Sequence, residues 1–192
     1  MKIFEIGVGE YWQSRTSRYI GTDVECYLFE PNPLSFQGIK ENLSHCKNFK
    51  LFNYALGEEN KQTNFFIAPA DRPGSSFLEG VRSPEAVRNR NSEKQLEKIA
   101  VEMRDIRLFD SGDIDVVLLD TEGSEFNILK TLVSRPKHIV IEMYSHGVRY
   151  VNPNCDEIIG WMKDNNYVLH RGLSPWPDKS QVVGEDFYYV KV

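Results

Sequence analysis

Four side chains that can accept a proton follow two apolar stretches of the sequence, namely Asp120, Glu122, Glu142 and His146. The first two come directly after the run 116–119, and the other two end or follow the run 138–141. Ligands of open α/β sheets bind at the carboxyl ends of such strands. Carboxylates and a histidine at this edge could take the proton from an attacking hydroxyl group. We therefore expect these four residues to form the catalytic set.

Structural roles could also account for some of the same residues. Glu122 and Glu125 could stabilise the positive N-terminus of a following helix, whereas Asp120 at the strand tip is harder to assign to such a role. A lone histidine in a loop, such as His146, is often structural. Asp120, Glu122 and Glu142 could together hold a hard divalent cation. We favour proton transfer over this alternative and assign no metal.

A pair of glycines ends the first apolar run, in Glu5-Ile6-Gly7-Val8-Gly9. Such a pair lets the backbone turn tightly and approach a ligand, although many Gly-x-Gly turns serve packing alone. A dinucleotide motif would require a third glycine at position 12, where Trp12 stands, because a pyrophosphate must come close to a helix N-terminus. The pattern favours a nucleoside ligand without phosphates, such as S-adenosylmethionine.

An acid ends the second apolar run, in Phe29-Glu30-Pro31-Asn32. Glu30 lies about 20 residues past the glycine pair, where a carboxylate can accept hydrogen bonds from both ribose hydroxyls. The alternative role, capping the next helix, is already supplied by Asn32. Asn53 and Ala55 follow the third run, where they would either contact the adenine or form an ordinary turn.

Short apolar runs alternate with amphipathic segments, which predicts an α/β fold. The predicted strands are 2–6, 24–30, 49–54, 115–120, 137–143, 166–170 and 186–192, and the predicted helices are 33–43, 124–133 and 156–164. The last two strands flank Ser174-Pro175-Trp176-Pro177, so we expect an antiparallel pair. A mostly parallel seven-stranded sheet with a C-terminal antiparallel hairpin and helices on both faces is the arrangement of Rossmann-like methyltransferases.

The length of 192 residues predicts one domain, 1–192. Residues 69–98 interrupt the pattern. They predict either a mobile surface excursion that ends in a polar helix near 84–97 or a lid over the active site.

Composition limits the partners and the compartment. The formal charge of −5 argues against a dedicated nucleic-acid binder. Three scattered cysteines without a CxxC pair indicate neither a zinc site nor a disulfide framework, and they are typical of a cytoplasmic protein. The first residues lack the apolar region of a signal peptide, and no apolar run approaches the roughly 20 residues of a membrane span.

Several motifs resemble those of FkbM-type methyltransferases. They are Leu28-Phe29-Glu30-Pro31-Asn32-Pro33, Asn53-Tyr54-Ala55-Leu56-Gly57, Gly74-Ser75-Ser76-Phe77, Leu119-Asp120-Thr121-Glu122-Gly123-Ser124-Glu125 and Ile141-Glu142. The resemblance implies methylation of an oxygen with S-adenosylmethionine as donor, commonly on a sugar hydroxyl, a polyketide or a similar natural product.

The resemblance also implies that Gly7, Gly9, Glu30, Asn53, Ser75, Ser76 and Asp120 lie at the cofactor site, and we expect Glu5, Pro31, Asn32 and Ala55 to belong to the same site. Glu122 and Glu142 would lie at the catalytic edge. The chain departs from the family in having Glu5 in place of the usual Asp and Thr121 in place of an aliphatic residue. It also begins at the first strand, without the N-terminal helices that often help to form an acceptor pocket. A module of a larger enzyme is therefore a further expectation.

Two other functions remain open at this point. A nicotinamide-dependent oxidoreductase would have to bind its dinucleotide despite Trp12. A degenerate Rossmann module, with a binding or scaffolding role, would fail to bind S-adenosylmethionine even at millimolar concentration. We expect the methyltransferase, with a small-molecule or glycan acceptor and without a nucleic-acid partner.

Overall fold

A computed structural model describes residues 1–67, 97–143, 154–172 and 185–192. The strands in these ranges are β1 (Lys2–Ile6), β2 (Glu25–Phe29), β3 (Phe49–Phe52), β4 (Ala55–Gly57), β5 (Lys61–Ile67), β6 (Glu97–Asp105), β7 (Val116–Leu119), β8 (His138–Met143), β9 (Tyr167–Gly172) and β10 (Glu185–Lys191). The α-helices are α1 (Pro33–Leu43), α2 (Glu125–Leu129) and α3 (Cys155–Asp164). Short 3-10 helices cover Tyr11–Gln13, Ser17–Tyr19 and Ile106–Leu108.

The main sheet has seven strands in the order β3-β2-β1-β7-β8-β10-β9. The first five strands are parallel to one another, and β10 is antiparallel to both β8 and β9. This sheet confirms the predicted Rossmann-like fold and its C-terminal antiparallel pair. No helix among the described residues is both long enough and apolar enough to cross a membrane.

The central strands are covered on both faces, as their continuous apolar runs predict. On one face Phe4 and Val117 belong to a buried cluster that includes residues of α2 and α3. On the other face Ile3 and Leu28 pack with Ile39 of α1. This double coverage fixes the strands, so that the carboxyl ends of β1, β2, β7 and β8 meet along one edge.

A second sheet, in the order β4-β6-β5, was not predicted. The third predicted strand, 49–54, is wrong at its end because β3 stops at Phe52 and the chain enters β4 at Ala55. Residues 97 and 98, placed in the excursion, belong instead to β6, which pairs with β5. Residues 68–96, which include the remainder of the predicted helix and lid, lie outside the described residues.

Helix α2 is shorter than predicted, ending at Leu129 rather than at residue 133. The Thr131 hydroxyl donates to the carbonyl oxygens of Asn127 and Ile128. The Asp110 carboxylate then accepts the backbone N–H groups of Val133 and Ser134, each at 2.8 Å. The N–H groups of Val133 and Ser134 therefore have a partner outside the helix, and the chain leaves the helical path before them.

Candidate active site

The glycine pair forms a tight turn at the end of β1. Gly7 and Gly9 have φ angles of +80° and +67°, in the left-handed region that side chains disfavour. A Cβ at Gly7 would overlap the carbonyl oxygen of Asp120, and a Cβ at Gly9 would lie 2.5 Å from Oε1 of Gln13. Gly7 is therefore required by the close approach of the chain after β1 to the chain after β7.

Glu30 lies beside this turn and is only 5% exposed. Its Oε2 accepts the backbone N–H of Gly9 at 2.7 Å, and its Oε1 accepts that of Asn32 at 2.8 Å. Burial raises the pKa of Glu30 to about 7, even though these two N–H groups favour the charged form. Each carboxylate oxygen has a second lone pair, so the group can also accept two ribose hydroxyls.

The other residues predicted near Glu30 have structural contacts. Asn32 caps α1, because its Oδ1 accepts the N–H of Leu34 at 3.0 Å. The Asn53 side-chain amide donates to the carbonyl oxygens of Glu30 and Pro31, at 2.8 and 3.2 Å. Ala55 is buried at the start of β4. Asn53 therefore ties the end of β3 to the turn that presents Glu30.

Glu5 is buried in β1 and holds the segment 14–16. Its carboxylate accepts the N–H of Arg15 at 2.6 Å, the hydroxyl of Ser14 at 2.9 Å, and both the N–H (3.1 Å) and the hydroxyl of Thr16. In this structure the side chain predicted to bind the cofactor therefore fixes the loop that runs past the glycine turn.

The structure brings together three of the four predicted catalytic residues. Carboxylate oxygens of Asp120, Glu122 and Glu142 lie within 4.8 Å of one another, a spacing that could also hold a metal ion. His146, Ser75 and Ser76 lie outside the described residues. The three acids will be called the acid cluster.

Glu142 has the most perturbed titration in this cluster. Burial raises its pKa to about 10, and its hydrogen bond to Asp120 and the charges of Asp120 and Glu122 act in the same direction. Two carboxyl groups this close can share one proton. Arg15 donates a hydrogen bond to Asp120 at 3.2 Å.

A family model described as "Methyltransferase FkbM domain" matches residues 5–169. The chain belongs to the FkbM methyltransferase family. The match covers most of the chain, including the glycine turn, Glu30 and the acid cluster. It confirms the predicted family and the predicted class of enzyme, a methyltransferase.

Solved structures with a similar fold are also methyltransferases. Fibrillarin from Aeropyrum pernix, in complex with natively bound S-adenosyl-L-methionine, has 13% sequence identity and a TM-score of 0.52 over 98% of this chain and 66% of that one. Precorrin-6Y C5,15-methyltransferase from Geobacter metallireducens has 13% identity and a TM-score of 0.50 over 100% and 81%. An rRNA methylase from Streptococcus thermophilus has 9% identity and a TM-score of 0.52 over 100% and 86%. At these identities the likeness concerns the fold. No curated protein matches the sequence.

Sequence reasoning missed two charged residues of the candidate site, Arg15 and Asp186. Nη2 of Arg15 lies 3.2 Å from Oδ2 of Asp120 and 2.9 Å from Oδ1 of Asp186. Asp186 of β10 is the register partner of Glu142 on β8. The antiparallel pair of the last two strands was predicted, but the pairing of β10 with β8, which places Asp186 beside Glu142, and the position of Arg15 were not.

Glu125 stabilises the turn that follows Asp120 and contains Glu122. Its buried carboxylate accepts the N–H groups of Thr121 and Gly123 and the Thr121 hydroxyl, each at 3.0 Å. Within this turn Glu122 and Gly123 have φ angles of +54° and +114°. The structural role expected at the helix start therefore belongs to Glu125, whereas Glu122 joins the acid cluster.

Replacing Glu125 with alanine should lower the free energy of unfolding by about 2–4 kcal/mol, because buried donors of the turn lose a charged acceptor. Chemical denaturation would measure the loss. Glu41→Ala, on the exposed face of α1, is the matched control and should change the stability by less than about 0.5 kcal/mol. Equal stabilities for the two variants would contradict the role of Glu125.

Proposed function

We propose that this FkbM methyltransferase transfers the methyl group of S-adenosylmethionine to a hydroxyl of a sugar, a glycan or a similar small molecule. One observation carries the proposal: Glu30, held by the N–H groups of Gly9 and Asn32, lies at the same sheet edge as the acid cluster. A ribose-binding carboxylate and a proton acceptor are the two groups that this reaction requires from the protein.

The residues fit a methyl donor better than a dinucleotide. Between Glu10 and the start of β2 at Glu25 the only helices are two short 3-10 turns, so no α-helix N-terminus follows the glycine turn to receive a pyrophosphate. Trp12, which is 78% exposed, lies in the first of them. The acids near the glycine turn suit a sulfonium cation. Asn53 and Ala55 would lie beside the adenine.

The protein's part in the reaction is to orient the acceptor and take its proton. S-adenosylmethionine, when bound, supplies an electrophilic methyl group. The acceptor oxygen forms the new C–O bond while the C–S bond breaks and its electron pair goes to sulfur, and the hydroxyl proton goes to Asp120. The negative charge of Glu122 beside Asp120 favours uptake of this proton, whereas Arg15 favours the charged carboxylate and opposes it.

Charge supports a neutral acceptor over RNA. Asp120, Glu122 and Asp186 lie together with Glu142, whose raised pKa keeps it neutral at pH 7, and Arg15 is the cation that the described residues place against them. This excess of negative charge repels phosphate groups, and the whole chain also carries a formal charge of −5. Methyl transfer from labelled donor to bulk RNA, with none to a panel of glycans and polyketides, would contradict this choice of acceptor.

Replacing Glu30 with alanine should weaken S-adenosylmethionine binding by about 1–3 kcal/mol, because the ribose hydroxyls lose a charged acceptor. Titration calorimetry on folded protein would measure the change. Glu41→Ala removes an acid from the exposed face of α1 and should leave the affinity within a few-fold.

The pH dependence provides a second readout of the same residue. The pKa of Glu30 is about 7 and the ionised carboxylate is the better acceptor, so the wild-type affinity should fall as the pH falls below about 7. This part of the pH dependence should be absent in Glu30→Ala. An unchanged affinity in that variant would contradict the ribose assignment.

A further inference from the structure

Arg15 is held at both its backbone and its side chain. Its N–H donates to the buried carboxylate of Glu5 at 2.6 Å, which fixes the start of the side chain. Its guanidinium reaches across the sheet edge to Asp120, after β7, and to Asp186, on β10. The Arg15 side chain is 27% exposed, so its charge acts at the mouth of the site under only partial solvent screening.

Arg15 lies against acids that come from three strands. They are Asp120 after β7, with Glu122 of the same acid cluster, Glu142 on β8 and Asp186 on β10. Burial raises the pKa of both Glu142 and Asp186, and the charge of Arg15 opposes the rise in each case. Arg15 therefore reduces the negative potential of the site without removing it.

We infer that Arg15 is a positioning residue that limits how strongly the site prefers the cationic methyl donor over its neutral product. The inference rests on the proposed function, in which a sulfonium cation becomes a neutral thioether in S-adenosylhomocysteine. Negative charge at the site stabilises the bound sulfonium cation but not the neutral thioether of the product. Without the positive charge of Arg15, the acid cluster would therefore bind the donor too tightly before the reaction. By pairing with Asp120 and Asp186, Arg15 weakens that ground-state preference.

The test compares the dissociation constants of S-adenosylmethionine and S-adenosylhomocysteine in the same buffer. In Arg15→Gln the ratio should shift toward the methyl donor by roughly tenfold, because one positive charge beside the sulfonium is lost. Arg15→Lys should restore part of the wild-type ratio. Arg18→Gln removes the same charge from the same loop and should leave the ratio unchanged, since the exposed Arg18 bonds the Arg15 carbonyl oxygen and not the acids.

A second variant, for which the ratio should change in the opposite direction, distinguishes an effect of charge from a loss of folding. Asp186→Asn removes a negative charge and should shift the ratio toward S-adenosylhomocysteine. If Arg15→Gln weakened both ligands equally, or Asp186→Asn left the ratio unchanged, the inference would be overturned. If the wild-type protein bound neither ligand, the proposed function itself would fail, which is a distinguishable result.

Discussion

Replacing Gly7 with alanine is expected to lower the free energy of unfolding by about 2–5 kcal/mol. The φ angle of +80° alone costs a residue with a Cβ roughly 1–2 kcal/mol. The Cβ would also overlap the carbonyl oxygen of Asp120, so the chains after β1 and β7 would have to separate, at a further cost of about 1–3 kcal/mol. Chemical denaturation with a two-state fit would measure the loss.

Gly21 provides the matched control for this prediction. Its φ angle is +73°, close to that of Gly7, but a Cβ there would have no atom within 4 Å. Gly21→Ala should therefore show only the backbone cost, roughly 1–2 kcal/mol. Equal losses in the two variants would mean that the contact with Asp120 does not explain the glycine at position 7.

Glu142 is expected to make the protein less stable as the pH rises. The pKa of Glu142 is about 10 in the folded protein and has its ordinary value of 4.5 in the unfolded chain. Between pH 4.5 and pH 10 the folded state therefore binds more protons than the unfolded state. The free energy of unfolding therefore decreases with increasing pH across this window, by up to about 1.4 kcal/mol per pH unit for this group. Denaturation series from pH 5 to 9 would measure the slope.

Glu142→Gln should flatten this slope and should be more stable than the wild-type protein at pH 9. Glu41→Gln, at an exposed position of α1, should keep the wild-type slope. Glu30 contributes a decrease of the same sign, because its pKa is raised to about 7, but it does so equally in both variants. A Glu142→Gln series parallel to the wild-type series would show that the acid cluster does not retain a proton.

The sequence predicted those parts of the site that depend on strand ends. Gly7, Glu30, Asp120 and Glu142 each end or follow an apolar run, and a parallel sheet brings such ends to one edge. The second sheet was missed because β5 begins with Lys61-Gln62-Thr63-Asn64, a polar segment without the alternation of a half-buried strand. Its partner β6 follows only at Glu97, far along the chain.

Contacts between distant loops could not be predicted from local patterns. Arg15 lies in a segment without periodicity, and its bonds to Asp120 and Asp186 span more than half of the chain. Glu5 was expected to contact the cofactor because of its place in the motif. Only the folded chain shows that Ser14, Arg15 and Thr16 return to its carboxylate. Such side-chain partners depend on tertiary geometry, which propensity and spacing do not encode.

A crystal structure of the protein with S-adenosylhomocysteine would test the central claim, that the donor binds between the glycine turn and the acid cluster. We predict that both ribose hydroxyls donate to the Glu30 carboxylate and that the sulfur lies toward Asp120 and Glu142. Absence of the ligand after soaking at millimolar concentration, or its binding away from Glu30, would contradict the claim.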